Sequence, residues 1–278
     1  MIYAAPGMGI DLVIHFECQP KLALGRGDAM NGTIQLVDLL KAKSRADVLV
    51  QHMTAKGQDP RTTKVKLVLE GPHGPQETEV TAAELGARAA PLAQLYTACN
   101  GCPARTSDSP FACTSYVNYP IPALAEQWLM ERLQPRTMLG GMVCLAAIED
   151  FGWDGSPLAT YRQRGLFESP HPVRRDLGDG AVVSSDSVLQ AMMAVGALGD
   201  MHSVILLSWF GAVLVDGAPV LGSDKSALGT VMSIPVEQRA ARTRFVLPAP
   251  PPDAPHLGTF LWSAYCAWRA GAELLVDS

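Results

Sequence analysis

Several common functional signatures are absent from this 278-residue sequence. Neither the phosphate-binding motif G-x-x-x-x-G-K-[ST] nor the zinc-protease motif H-E-x-x-H occurs. P-loop nucleotide hydrolysis and zincin proteolysis are therefore excluded as activities. The run P-G-M-G at Pro6–Gly9 precedes the first predicted strand instead of following it, so it is not a dinucleotide-binding fingerprint.

The sequence also lacks a surplus of positive charge. Lys and Arg total 22 against 27 Asp and Glu, which gives a net charge of −5, and the basic residues are scattered. A nucleic-acid-binding protein needs clustered basic residues to neutralise phosphates. We therefore expect no nucleic-acid partner.

Long apolar runs and a secretory signal are lacking as well. The longest apolar run, Val204–Val215, is interrupted by Ser208 and Gly211 and is shorter than the roughly 20 residues that a membrane-spanning helix needs. The N-terminus has no basic region ahead of an apolar stretch. These features predict a cytoplasmic protein without a membrane partner.

The N-terminal part of the chain predicts a mixture of strands and helices. Alternating apolar residues over Met8–Cys18 predict a half-buried strand with Cys18 on its apolar side. Helical periodicity predicts two helices, Thr33–Lys43 and Ala46–Lys56, the second ended by Gly57. A hairpin follows, with strands Thr62–Glu70 and Gln76–Thr81 and a five-residue loop that carries His73.

The remainder of the chain predicts mostly helices. Thr81 and Glu84 form a capping-box pattern, which predicts a helix from Ala82 to about Tyr96. Beyond Pro122 we predict helices at the following positions: Ala123–Leu133, Met138–Phe151, near Leu158–Arg164, Asp186 to about Leu198, from Met201 onward, Val236–Ala241, and Leu257 to about Leu275. One strand is predicted at Arg244–Leu247.

Strands and helices are therefore segregated along the sequence instead of alternating. The N-terminal half holds a few strands and a hairpin, and the C-terminal half is mainly helical. This segregation predicts an α+β fold. We predict a single domain over residues 1–278, with a soft division near residue 122.

The most informative stretch is a cysteine-rich loop, C-N-G-C-P-A-R-T-S-D-S-P-F-A-C, over Cys99–Cys113. Three of the six cysteines fall here in C-x2-C-x10-C spacing. A C-x-x-C turn lets two thiolates converge on one ion, and Gly101 can take the positive φ that such a turn needs. In a reducing compartment these cysteines are thiols or metal ligands more often than a disulfide framework.

We predict a metal site with the ligands Cys18, Cys99, Cys102 and Cys113. Four thiolates suit a closed zinc site or a [4Fe-4S] cluster. The Cys102-Pro103 step favours the cluster over zinc, because a Cys-Pro step is common in ferredoxin-like runs. The alternatives are reduced, partly buried thiols or a C-x-x-C redox pair, although no helix is predicted to start directly after Cys102, as a thioredoxin-like pair requires.

Other candidate residues favour structural interpretations. His202 and His171 are single histidines, and Asp11, His15 and Glu17 share the polar face of the first predicted strand. Ser184, Ser185 and Asp186 resemble a nucleophile cluster, but Ser184 or Ser185 can cap the helix that follows. Cys144, within an apolar helix, is expected to be a core thiol.

Three functions fit these observations. The first is a metal-binding protein in which the Cys-rich site has a structural or scaffold role. The second is an iron-sulfur redox protein or an enzyme that uses the cluster. The third is a metal-free interaction module that binds a protein partner through the apolar C-terminal helices.

Overall fold

The computed structural model of this chain describes residues 9–71, 74–133, 138–178, 180–222, 224–247, 250 and 255–277. It has about 50% helix and 18% strand, arranged with several small sheets. The predicted α+β class is thus confirmed. In this part of the chain, no helix is both long and apolar enough to cross a bilayer.

The elements follow one another along the whole described chain. The strands are β1 (Gly9–His15), β2 (Val65–Gly71), β3 (Gly74–Val80), β4 (Thr114–Asn118), β5 (Arg174–Asp176), β6 (Val182–Ser184), β7 (Ala197–Leu198), β8 (Val213–Val215), β9 (Ala218–Pro219), β10 (Thr243–Phe245) and β11 (Glu273–Asp277). The α-helices are α1 (Gln19–Leu24), α2 (Ala29–Ala55), α3 (Ala82–Ala89), α4 (Pro91–Leu95), α5 (Ala123–Arg132), α6 (Met138–Asp150), α7 (Ser156–Gln163), α8 (Ser185–Met193), α9 (Asp200–Trp209), α10 (Lys225–Met232), α11 (Val236–Arg242) and α12 (Pro255–Arg269). A 3-10 helix, Thr97–Cys99, follows α4.

These elements belong to two compact units that are interleaved along the chain. The first unit includes Glu17–Cys102 and Ser109–Phe111. The second includes Gly9–Phe16, Pro103–Asp108 and the chain from Ala112 onward. The single domain with a soft division near residue 122 stays a prediction.

In the first unit, α1 and α2 approach each other at a glycine contact. A Cβ atom added to Gly32 would lie 1.7 Å from the backbone oxygen of Lys21, which no real side chain tolerates. Only glycine therefore permits this approach of the two helices. Asp28 is the N-cap residue of α2, and its carboxylate accepts hydrogen bonds from the backbone amides of Met30 and Asn31.

The core of the first unit lies between α2, α3 and the β2–β3 hairpin. Its buried residues are Ala46, Leu49, Met53, Val65, Leu67, Val80, Ala82 and Leu85. A two-stranded hairpin is marginal in water by itself, so this apolar contact with the two helices stabilises it.

The second unit contains an antiparallel sheet in the order β4–β1–β11–β7. Helix α12 packs against β1, β4 and β11. Ile10, Leu12 and Ile14 have no exposed surface, as the alternation in the sequence predicted. Strand β1 therefore lies between β4 and β11, the last strand in the described part of the chain.

Two predicted boundaries in the first unit are wrong. The two helices predicted over Thr33–Lys43 and Ala46–Lys56 are one helix, α2, because neither residue between them, Ser44 nor Arg45, breaks a helix. The hairpin strands pair as far as Gly71 opposite Gly74, so the loop is shorter than the predicted five residues. His73 lies outside the described residues.

Proline divides the helix that was predicted to run from Ala82 to about Tyr96. The capping box at its start is confirmed: Thr81 Oγ1 accepts a hydrogen bond from the Glu84 amide at 3.1 Å, and Glu84 Oε2 accepts one from the Thr81 amide at 2.7 Å. The helix then ends at Ala89, and α4 begins at Pro91. Proline is accepted in a first turn but lacks the amide that a continuous helix needs.

The end of the chain also differs from its prediction. Helix α12 ends at Arg269 instead of continuing to about Leu275, and Gly271 follows with a φ of +65°. Glycine just after a helix is a frequent stop signal. The residues beyond it form β11, which pairs with β1 along Asp11–His15.

Candidate metal centre

Cys99 and Cys102 lie at the two ends of a type II β-turn. Asn100 has φ −66° and ψ 131°, and Gly101 has φ +72°. The Cys102 amide donates a hydrogen bond to the Cys99 carbonyl oxygen at 3.3 Å. The third position of this turn type requires a positive φ, which explains the glycine. Since the turn reverses the backbone, the two cysteine Cα atoms are within about 7 Å of each other.

The chain enters this turn through the 3-10 helix. The Cys99 amide donates to the Tyr96 carbonyl oxygen at 3.2 Å, and Tyr96 packs its ring 5.4 Å from that of Phe111. Cys99 is buried, with 7% of its surface exposed, whereas Cys102 is half-buried. The two thiols of the turn therefore differ in their access to solvent.

The sequence predicted that Cys18 lies on the first strand, and this prediction is wrong. Strand β1 ends at His15, and Cys18 is the N-cap residue of α1, with φ −145° and ψ 160°. Pro20 lies in the first turn of α1, a position that tolerates proline, so the Gln19-Pro20 step begins a helix. Within the first unit, α1 packs against the 3-10 helix that ends in Cys99.

Cys113 belongs to the second unit and lies directly before β4. Its carbonyl oxygen accepts a hydrogen bond from the Ile14 amide at 2.8 Å. The loop before it is closed by the Thr106 amide and hydroxyl, which donate to the Ala112 carbonyl oxygen at 2.9 and 2.6 Å. Trp262 of α12 donates from Nε1 to the Thr106 carbonyl oxygen at 2.7 Å. Hydrogen bonds to β1 and α12 thus fix the approach to Cys113.

The structure brings together only part of the predicted ligand set. Cys99 and Cys102 share one turn, Cys18 starts a helix packed near that turn, and Cys113 is in the other unit. Among the residues that the structure describes, no group of three or more His, Cys, Asp or Glu side chains could hold a metal ion. The metal site remains a prediction.

The two other cysteines are core thiols. Cys144 in α6 and Cys266 in α12 are buried, as expected for Cys144 from its apolar helix. Burial raises the pKa of Cys144 to about 12 and that of Cys266 to about 11. Burial thus disfavours the charged thiolate at both positions, as is usual for core cysteines.

The other candidate residues take part in local structure. Ser184 caps α8, since its hydroxyl accepts a hydrogen bond from the Ser187 amide at 3.1 Å. His202 is hydrogen-bonded through Nε2 to the Ala191 carbonyl oxygen at 2.8 Å and stacks on Trp153 at 4.6 Å. Burial lowers the pKa of His202.

The remaining candidates differ in their exposure to solvent. His171 is exposed. Asp11 and His15 are half-buried on β1, and Glu17 is exposed beyond the strand's end.

A buried ionic network in the second unit was missed from the sequence. The Arg162 guanidinium hydrogen-bonds Glu126 of α5 and Asp186 of α8, with 2.8 Å between Nε and Asp186 Oδ1. Ser185 donates to Glu126 Oε2 at 2.8 Å, and Phe167 lies with its ring centroid 4.3 Å from the guanidinium carbon. One signal was present: Glu126 lies three and four residues before the apolar Leu129 and Met130, on the buried face of α5, where a carboxylate needs a cation. The guanidinium of Arg162 thus pairs with both buried carboxylates.

The comparisons with known proteins identify no relative. No protein-family model, curated protein or solved structure matches this chain. The function therefore has to be inferred from the chain's own residues, above all from the Cys99–Cys102 turn.

Proposed function

We propose that this chain binds a metal centre through cysteine thiolates and that the metal has a structural role. Cys99 and Cys102 are the first two ligands, and Cys18 and Cys113 complete the set. A set of four thiolates suits tetrahedral zinc or a four-iron cluster. The observation that carries this proposal is the type II turn between Cys99 and Cys102.

The turn supports the proposal through its geometry. A thiolate pair can chelate one ion only if the two backbone positions lie close together, and the hydrogen bond from the Cys102 amide to the Cys99 carbonyl oxygen holds them so. Gly101, with its φ of +72°, lets the backbone reverse without strain. The pair therefore needs little rearrangement to act as two ligands.

The other two ligands have to close around this pair when the ion binds. Structural zinc binding contributes on the order of 10–16 kcal/mol in small domains. Because the ligands come together only when the metal binds, this free energy also stabilises the folded site. That free energy exceeds the cost of reorienting side chains, which is of the order of 1–2 kcal/mol each. In this mechanism the metal supplies folding energy at the point where it binds.

The ligand chemistry restricts which metals this site can bind. Thiolates select zinc and iron-sulfur clusters over hard cations such as magnesium. The Cys102-Pro103 step favours the four-iron cluster, as in ferredoxin-like sequences. Absorbance near roughly 400 nm that is bleached by dithionite would identify the cluster, because thiolate-iron charge transfer produces it.

The experiment compares two cysteine variants purified without oxygen. Cys102→Ser removes a proposed ligand, and Cys266→Ala removes a buried thiol that α12 holds in the core of the second unit. We expect the wild type and the Cys266→Ala variant to contain either one zinc or four irons per chain. The Cys102→Ser variant should lose most of the metal and melt at a lower temperature.

Two outcomes would overturn the proposal. One is a wild-type protein without zinc or iron, measured by elemental analysis of freshly purified material. The other is a Cys102→Ser variant that keeps both the wild-type metal content and the wild-type melting temperature. A loss of metal in both variants would show that the metal depends on general stability and not on the turn.

A further inference from the structure

We propose that Cys99 and Cys102 also form a reversible disulfide, with a low-molecular-weight disulfide such as oxidised glutathione as the oxidant. This inference uses the turn geometry and the unequal exposure of the two thiols, and it does not depend on the proposed metal. It assigns a redox modification to the same pair of residues when no metal protects them.

The turn holds the two Cα atoms at a separation that is compatible with a disulfide. Disulfide-bonded cysteines have Cα atoms about 4.4–6.8 Å apart, and a β-turn holds its first and fourth Cα atoms within about 7 Å. The hydrogen bond from the Cys102 amide to the Cys99 carbonyl oxygen fixes this spacing. The backbone spacing of the turn therefore permits a disulfide between the two residues.

The exposures of the two cysteines assign the order of the reaction. Cys102 is half-buried, so a small disulfide can reach it, whereas Cys99 has only 7% of its surface exposed. Exchange requires access of the attacking sulfur to the disulfide. Cys102 is therefore the attacking residue, and Cys99 is the resolving residue.

The two steps balance as follows. The Cys102 sulfur attacks one sulfur of the oxidised glutathione, so a Cys102–glutathione bond forms, the glutathione disulfide bond breaks, and one reduced glutathione leaves with the Cys102 proton. The Cys99 sulfur then attacks the Cys102 sulfur, so the Cys99–Cys102 bond forms and the second glutathione leaves with the Cys99 proton. The two protein thiols lose two electrons, and oxidised glutathione gains them.

Tryptic digestion isolates this pair from the other cysteines. Cleavage after Arg88 and Arg105 releases the peptide Ala89–Arg105, which contains Cys99 and Cys102 and no other cysteine. Cys113 falls in the next peptide, Thr106–Arg132, and Cys18 in the peptide that ends at Lys21. Each possible disulfide therefore has its own mass.

Metal content is measured first in the full-length protein, so that a failure of the metal proposal is seen separately. A chelator then removes any bound zinc or iron, the protein is incubated with oxidised glutathione, the remaining thiols are blocked, and the tryptic peptides are mapped by mass spectrometry. We expect Ala89–Arg105 to become two hydrogen atoms lighter, and a reductant to reverse this change. Unmodified thiols, or a bond from Cys99 or Cys102 to the peptides of Cys18 or Cys113, would overturn the inference.

Two variants test the order of attack. In Cys99→Ser, glutathione should remain attached to Cys102, because no resolving thiol follows. In Cys102→Ser, attachment to Cys99 should be slower by roughly tenfold or more, because the buried sulfur is hard to reach. Equal attachment in both variants would contradict the assigned roles, while the wild-type peptide map still tests the disulfide if either variant fails to fold.

Discussion

Two arginine–aspartate ion pairs in the second unit differ in burial, and we expect them to differ in their contribution to the free energy of unfolding. Arg162 approaches Asp186 with 2.6 Å between Nη2 and Oδ1, and Arg242 approaches Asp216 with 2.6 Å between Nη2 and Oδ2. The side chains of the first pair are 4% and 11% exposed, and those of the second are 37% and 56% exposed. The distances are equal, but the first pair is buried and its arginine also binds Glu126, whereas the second pair is exposed.

We expect Arg162→Ala to destabilise the protein by about 3–5 kcal/mol, since it leaves the carboxylates of Glu126 and Asp186 buried without a cation. Arg242→Ala is the matched control, and it should leave the unfolding midpoint nearly unchanged because water screens an exposed pair. Denaturant unfolding of both variants measures the difference. Equal midpoint shifts would show that burial does not set the value of these pairs.

Glycine at position 101 is required by the turn and not by a lack of space. A Cβ atom added to Gly101 would have no neighbour within 4 Å, and the same holds for Gly86 in α3. Gly101 has a positive φ of +72°, whereas Gly86 lies within a helix. The same substitution therefore has opposite consequences at the two positions.

Gly101→Ala should cost about 1–2 kcal/mol of stability, because an L-residue with positive φ is strained. Gly86→Ala should instead stabilise the protein by about 0.5–1 kcal/mol, because alanine is the better helix former. Thermal unfolding of the two variants checks this pair of signs. A Gly101→Ala variant as stable as the wild type would argue against the type II turn.

At the scale of single elements, helix starts and ends could be predicted where the residues that determine them are neighbours in the sequence. The capping box of Thr81 and Glu84 was predicted correctly, and its hydrogen bonds lower the pKa of Glu84. The division of the following helix at Pro91 was missed, although proline gives a local signal. The same holds for Gly271, whose position after α12 marks the end of that helix.

Thr81→Ala should destabilise the protein by about 1 kcal/mol, because the Glu84 amide loses its acceptor. Thr54→Ala is a suitable control, since Thr54 is an exposed residue of α2 and alanine is at least as good a helix former. Chemical denaturation of the two variants gives the comparison. A cost for Thr54→Ala as large as that for Thr81→Ala would show that the capping box contributes nothing of its own.

At the scale of the whole molecule, the sequence indicated the α+β class but not the pairing of distant strands. β1 pairs with β11, and nothing local in Gly9–His15 identifies Glu273–Asp277 as its partner. Of the strands beyond residue 122, only β10 was predicted. Strands β5 to β9 have two or three residues each, which is too short a pattern to detect, and most of β11 was assigned to the preceding helix. The Arg162 network was missed because its members come from separate helices.

Strand β11 offers a direct test of this long-range pairing. Leu274 lies opposite Ile14 and Leu198 and has no exposed surface, whereas its neighbour Leu275 is partly exposed. Leu274→Ala should cost about 2–5 kcal/mol, as large-to-small core substitutions do, and Leu275→Ala should cost clearly less. Similar unfolding midpoints for the two variants would contradict the register of β11 described above.

The candidate site was predictable in part. The C-x-x-C spacing and Gly101 indicated the turn correctly, because both signals lie within four residues. Cys18 was assigned to the end of a strand because the apolar alternation continues past His15, and the helix start at Gln19-Pro20 was overlooked. Whether Cys18 and Cys113 join the turn depends on contacts between residues far apart in sequence, which no local pattern specifies.

X-ray absorption at the metal edge of the anaerobically purified, full-length protein tests the proposed thiolate centre most directly. We expect zinc or iron whose nearest neighbours are sulfur, at about 2.3 Å if the metal is zinc. A nearest shell of nitrogen and oxygen atoms, or a protein without zinc or iron, would contradict it.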